Sequence, residues 1–185
     1  MDFALIALLA ALGALTQSGI GFGYAILFTP LATLVVGAQA AVAISLVTGT
    51  LMSFGLYAES RPRTPLRSVL LLALVGTLTT PLGIWLLTRA DEVTLRILVG
   101  VAVLATTAVN MLSRPRLEAR EENAIATVAA GSLSGVLRGA TSMGGPPIVL
   151  YQHWLGGGPQ VIRGRLFAYF ALASLPGLVI AAFGG

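Results

Sequence analysis

Between Asp2 and Glu59 the chain runs for 56 residues without a charge. A helix rises about 1.5 Å per residue and a bilayer core is about 30 Å thick, so this run is long enough for two crossings and more. Glycines at 19, 21 and 23, Pro30 and Gly37 divide it into a first, interrupted element over about 3–36 and a second over about 38–58. Arg61, Arg63 and Arg67, with Pro62 and Pro65, form a basic loop before the uncharged stretch Ser68 to Thr88, the third span. Arg89, Asp91 and Glu92 connect it tightly to a fourth segment that ends near Leu112 and carries Arg96 in its first turns. The most charged loop, Arg114 to Glu122, falls near the middle of the chain. A fifth element follows over about Ala124 to Trp154 and a sixth over about Val161 to Phe183. The expectation is an all-α integral membrane protein of about six transmembrane segments in two related halves, 1–112 and 124–185, joined by a charged linker at 113–123, with the first and fifth segments interrupted at Gly-rich motifs.

Composition supports lipid as the solvent. Hydrophobic residues make up 56% and charged residues only 10%, against roughly 25% in soluble domains, and the mean hydropathy is +0.91. A water-soluble globule is excluded, because so few charges cannot cover a surface in water. The start does not read as a signal peptide: Asp2 stands where a basic region belongs, and the apolar run continues past any signal core. With no cysteine, disulfides, thiolate catalysis and thiolate metal sites are excluded. The net charge of +4 comes from 11 arginines, mostly in clusters between apolar runs, which suits membrane topology and not nucleic-acid binding. Arginine-rich loops prefer the cytoplasm. With the loops at 61–67 and 114–120 inside, six crossings put the amino terminus inside and Gly37, Thr88 to Asp91 and Leu155 to Gln160 outside. Arg163 and Arg165 then lie near an outer end, against the rule.

Thr16 to Phe28 and Gly139 to Tyr151 match as small, polar, Gly-rich stretches followed by aliphatic-aromatic runs, and a two-residue gap then sets Gly37 against Gly158. Duplicated halves are a common way to build transporters. The run Ala124 to Trp154 is 31 residues, too long for one straight crossing. Gly144-Gly145-Pro146-Pro147 combines backbone freedom with two missing amide donors, so a break is expected there, with Pro146 and Pro147 starting a half-helix and Thr141 or Ser142 as its cap.

Backbone broken at membrane depth must be buried in protein or face a wet cavity. If the halves meet, Ser18 to Gly23 and Thr141 to Gly145 face a shared site in which helix-start amides favour an anion. Thr16, Gln17, Ser18, Thr141 and Ser142 would add hydroxyl and amide donors. The competing reading is that the glycines serve close helix packing, as the interval of four at Gly131, Gly135 and Gly139 does. Arg138 is the most informative residue. An arginine at depth costs about 2.5–3.5 kcal/mol on the insertion scale, and its planar donors fit an oxoanion, although snorkelling or a structural partner would also hold it there. All seven acids lie in loops or at the start of the chain, which weakens a proton relay, and His153 among Tyr151, Gln152 and Trp154 reads as an interface residue before a coupling one.

Gly139 to Tyr151 with Gly144-Gly145-Pro146-Pro147, followed by Arg163, resembles the second-half signature of the TauE/SafE sulfite exporter family, and Gly19, Gly21 and Gly23 with Pro30-Leu31 resemble its first-half counterpart. The resemblance covers nearly the whole chain. It implies a multi-pass transporter of the bacterial plasma membrane for sulfite or organosulfonates. No cofactor or metal is expected, and a membrane enzyme is a poor third reading, because no span carries a clustered His or acid constellation. Arg163 joins the site on this resemblance alone. The family's usual span count exceeds six, so the chain reads as a shortened or fragmentary member, or one completed by a second copy. The candidate substrate-binding residues are thus Gln17, Ser18, Gly19, Gly21, Gly23, Arg138, Thr141, Ser142, Gly144, Gly145, Pro146, Pro147 and Arg163. The expected partners are a small anion, the lipid bilayer and a second copy of the chain, with no nucleic acid. A non-transporting membrane subunit or scaffold, or an anion channel, is the alternative.

Overall fold

A computed structural model describes residues 2–20, 22–60, 67–112 and 117–183. Their regular structure is helical throughout: α1 (Asp2–Ile20), α2 (Tyr24–Val36), α3 (Ala38–Ser60), α4 (Arg67–Arg89), α5 (Glu92–Leu112), α6 (Ala124–Thr141), α7 (Gly145–Leu155) and α8 (Pro159–Phe183). Among the described residues α3, α4 and α5 are each long and apolar enough to cross a membrane. Large aliphatic side chains stand on the outside, Leu15, Leu78 and Leu104 among them, as lipid permits and water does not. Inside, hydroxyls are satisfied locally: Thr33, Thr48, Thr80, Thr106 and Thr141 each donate to the carbonyl four residues back. That removes the cost of polar groups in a low-dielectric interior.

The sequence reading treats 3–36 and 124–154 as single interrupted crossings, and the structure corrects both. α2 runs back along α1: the Cβ position of Gly13 lies 3.0 Å from both the ring and the carbonyl oxygen of Tyr24. Ile6, Leu9 and Ala10 of α1 pack against a cluster of Tyr24, Phe28 and Ala32. Collinear helices would hold these residues about 15–40 Å apart. α7 returns along α6 in the same way, with Ser134 Oγ donating to Gly144 O at 2.5 Å and Thr127 and Tyr151 sharing a hydroxyl hydrogen bond of 2.7 Å. Each interrupted segment is a helical hairpin.

The helix ends have local causes. Asn123 caps α6, its side chain accepting from the amides of Ile125 and Ala126. The expected caps of α7 are displaced: Gly144 stands at that position, while Ser142, in the left-handed conformation, closes α6. Pro30 does not divide the chain but lies within α2.

Hairpins change which ends meet. The backbone amide of Arg120 donates to Leu155 O at 2.8 Å, so the end of α7 lies beside the charged linker. Arg165 Nη1 donates to Gly156 O at 3.0 Å, at the same end. At the opposite end Glu92 Oε1 accepts from the amide of Ala38 at 2.9 Å, joining the start of α3 to the α4–α5 turn. Leu155 to Gln160 therefore shares an end with the linker, and the amino terminus shares one with Gly37 and Asp91. Both are opposite to the sequence expectation, and the awkward position of Arg163 and Arg165 disappears.

α4 and α6 run in the same direction and touch backbone to backbone. A Cβ on Gly131 would lie 2.9 Å from Leu72 O, and one on Gly139 would lie 2.7 Å from Ile84 N and 2.8 Å from Gly83 Cα. This contact anchors the second hairpin to the rest of the molecule.

Candidate functional site

The tips of the two hairpins converge on one cavity of about 50 Å³. At about 10–15 Å³ per water position, it accommodates a few waters or one small polyatomic ion. The first hairpin contributes Gln17 from the last turn of α1, Phe22 and Gly23 from the turn, and Tyr24, Ala25 and Ile26 from the start of α2. The second contributes Arg138, Ser142, Met143 and Gly145. α3 closes one side with Ser45, Gly49, Thr50 and Ser53, and α8 adds Phe170.

Arg138 is 7% exposed. Its Nη2 donates to Ser174 Oγ on α8, and Ser174 in turn donates to Phe170 O. Nη1 is buried without a hydrogen-bond partner among the described residues. A buried guanidinium with an unpaired donor is costly unless an acceptor reaches it. Gln17 stands in a matching arrangement: its Nε2 donates to Ser53 Oγ at 3.2 Å, and Ser53 donates to Gly49 O at 2.7 Å.

The turn after α6 is strained where it reaches the cavity. Ser142 is the one non-glycine residue with positive φ among the described residues, at 62°. Its hydroxyl shares a 2.7 Å hydrogen bond with Thr29 Oγ1, which donates to Ser45 Oγ at 2.9 Å. This short hydroxyl chain ties the second tip to α2 and α3. Behind it, Tyr169 donates to Ser134 Oγ at 2.8 Å, and Ser134 holds Gly144 O. Amides at the first positions of α2 have no carbonyl one turn back to bond, and Tyr24 and Ala25, which hold those positions, are lining residues. At the start of α7 Pro146 and Pro147 lack N–H groups, and Gly145 brings the only such donor of the first three residues.

Of the residues singled out by sequence, Gln17, Gly23, Arg138, Ser142 and Gly145 line the cavity. Ser18, Gly19, Thr141, Gly144, Pro146 and Pro147 do not; Gly19 is exposed with open space beside it, and a Cβ on Gly144 would press on Ser134 and Arg138. Gly21 lies outside the described residues. Arg163 is exposed: it donates to Ser18 O in the last turn of α1 and lies over the Phe167 ring at 5.3 Å. There it complements a helix carboxyl end. Sequence reasoning missed the α3 wall. Ser45, Gly49 and Ser53 recur at intervals of four, a small polar stripe on one helix face that the charge pattern does not reveal.

A family model described as Sulfite exporter TauE/SafE matches residues 5–185. The chain belongs to the TauE/SafE family. No curated protein and no solved structure matches it. TauE/SafE proteins are membrane transporters, not enzymes, and the apolar helices described above accord with a multi-pass member of that family.

Proposed function

We propose that this TauE/SafE protein exports or exchanges sulfite or a small organosulfonate across the bacterial plasma membrane, and that the cavity between the hairpin tips is its substrate site. One observation carries the reading: Arg138, buried at the cavity wall, keeps Nη1 without a partner among the described residues. A guanidinium offers a sulfur oxoanion planar, charge-assisted donors. The amides of Tyr24, Ala25 and Gly145, residues of the same wall, supply further donors.

In this reading α3, α4, α5 and α8 cross the bilayer, and the two hairpins enter it from opposite sides without crossing. The linker end, which carries Arg120, Arg163 and Arg165, is cytoplasmic by the positive-inside rule. α1–α3 and α6–α8 are counterpart units. One constant offset carries Gln17 to Arg138, Tyr24 to Gly145, Ala38 to Pro159 and Ser53 to Ser174. The bonds Gln17–Ser53 and Arg138–Ser174 both span 36 residues, which supports this register. It differs by two residues from the match of Thr16 with Gly139, and it needs no gap.

The test is flux of labelled sulfite and organosulfonates in proteoliposomes. Arg138→Ala is expected to lower flux at least about tenfold, since removing one partner of a buried charge contact typically costs about 2–5 kcal/mol. Arg138→Lys should recover part of it, because lysine keeps the charge and loses the fork. Wild-type flux from Arg138→Ala, or no flux of any anion from wild type, defeats the proposal.

A further inference from the structure

Resting on the cavity being the substrate site, we propose that it selects oxoanions with a single negative charge: a sulfonate or hydrogensulfite in preference to the sulfite dianion or sulfate. Among the described residues, Arg138 is the one charged residue lining the cavity, and no carboxylate lines it. Among the described residues its neighbours are neutral groups, Ser174 at Nη2 and the phenol of Tyr169 nearby. The free site therefore holds one uncompensated positive charge in a desolvated wall. A monoanion cancels it. A dianion leaves a net negative charge in the same enclosed space, and unpaired charge in such surroundings is strongly disfavoured.

The counterpart position explains why the count stops at one. Gln17 occupies in the first unit the place of Arg138 in the second, bonded to Ser53 as Arg138 is bonded to Ser174. An arginine at both places would give a site of charge two. The unit related to the charged one thus contributes a neutral amide, able to accept from a protonated oxygen or donate to an anionic one. The apolar lining, Phe22, Ile26, Leu46, Met143 and Phe170, suits a small carbon substituent on sulfur, which a sulfonate has and sulfate lacks.

The experiment is uptake of labelled methanesulfonate into proteoliposomes at constant ionic strength, with unlabelled competitors. Sulfate is expected to compete at least about tenfold more weakly than methanesulfonate, the margin expected when one buried charge is left unpaired. Competition by sulfite should fall as pH rises through the range in which hydrogensulfite loses its proton, while competition by methanesulfonate stays level. The titratable groups that reach the cavity or Arg138 among the described residues are the phenols of Tyr24 and Tyr169, which stay neutral there. Gln17→Arg is expected to raise competition by sulfate toward that by methanesulfonate, and the pH series on the unaltered protein makes the same test without a variant. Equal competition by sulfate, or sulfite competition that strengthens as pH rises, overturns the charge selectivity and leaves the site intact. Carriage of sulfate without methanesulfonate overturns it as well; where sulfite is carried and methanesulfonate is not, uptake of labelled sulfite that strengthens as pH rises overturns it. If no anion is carried at all, the transport reading itself fails and the selectivity with it.

Discussion

Ser142 keeps a hydroxyl where glycine would be easier. A non-glycine residue in the left-handed region costs roughly 1–2 kcal/mol, and such outliers cluster at functional sites. Ser142→Gly is therefore expected to leave stability unchanged or raise it by up to about 1 kcal/mol, relief of strain being partly offset by a looser unfolded chain. The same change removes the bond to Thr29 that ties the second hairpin tip to α2, so flux should fall. Melting and uptake on one preparation check this, and wild-type uptake by Ser142→Gly would remove Ser142 from the site. Outside the bilayer, the Asp91 carboxyl is held below the usual carboxylate range by the hydroxyl and then the amide of Thr94, which it caps at the start of α5. A lowered folded value means that the cap acts in full at neutral pH and is lost as pH falls through that value. Hydrogen exchange in the first turn of α5 should rise on acidification in the unaltered protein. Asp91→Asn, which caps without titrating, should abolish the pH dependence.

At the scale of elements, the α4–α6 contact decides how the second hairpin is held. Gly139→Ala would drive a methyl group into the backbone of Gly83 and Ile84, where nothing flexible can yield. Overpacking of this kind costs about 1–3 kcal/mol, so a clear fall in melting temperature in detergent is expected. Gly100→Ala on α5 meets nothing within 4 Å and should be neutral or stabilising by up to about 1 kcal/mol. If both variants melt alike, the close helix contact is wrong. The sequence supplies a local reason for α7 to begin at Gly145, since Pro146 and Pro147 fit only a first turn. It supplies none for the direction that α7 then takes. That depends on Ser134 reaching Gly144 O and Thr127 reaching Tyr151, contacts between residues whose pairing no local pattern encodes.

For the whole molecule the hairpins predict a sidedness that six simple crossings do not. The chain lacks cysteine, so single cysteines report cleanly. Cysteines at Glu121 and Gln160 should react with an impermeant maleimide from one side of the membrane, and cysteines at Gln39 and Asp91 from the other. Labelling of Gln160 from the side of Gln39 would restore six crossings and dissolve the hairpins.

Much of this protein follows from its sequence through transfer energetics. Long uncharged runs select lipid as solvent, and arginine clusters mark the ends of segments, because both depend only on which groups are adjacent along the chain. The candidate site was legible in part for the same reason: glycine, proline and a lone intramembrane arginine are locally conspicuous. Tertiary structure alone decided that α2 and α7 turn back, that α3 supplies a cavity wall, and that Arg163 caps α1 while Arg138 Nη1 has no partner among the described residues. These outcomes rest on hydrogen bonds and backbone contacts between distant residues, such as Thr29 with Ser142 and Gln17 with Ser53, and folding is what creates those neighbours.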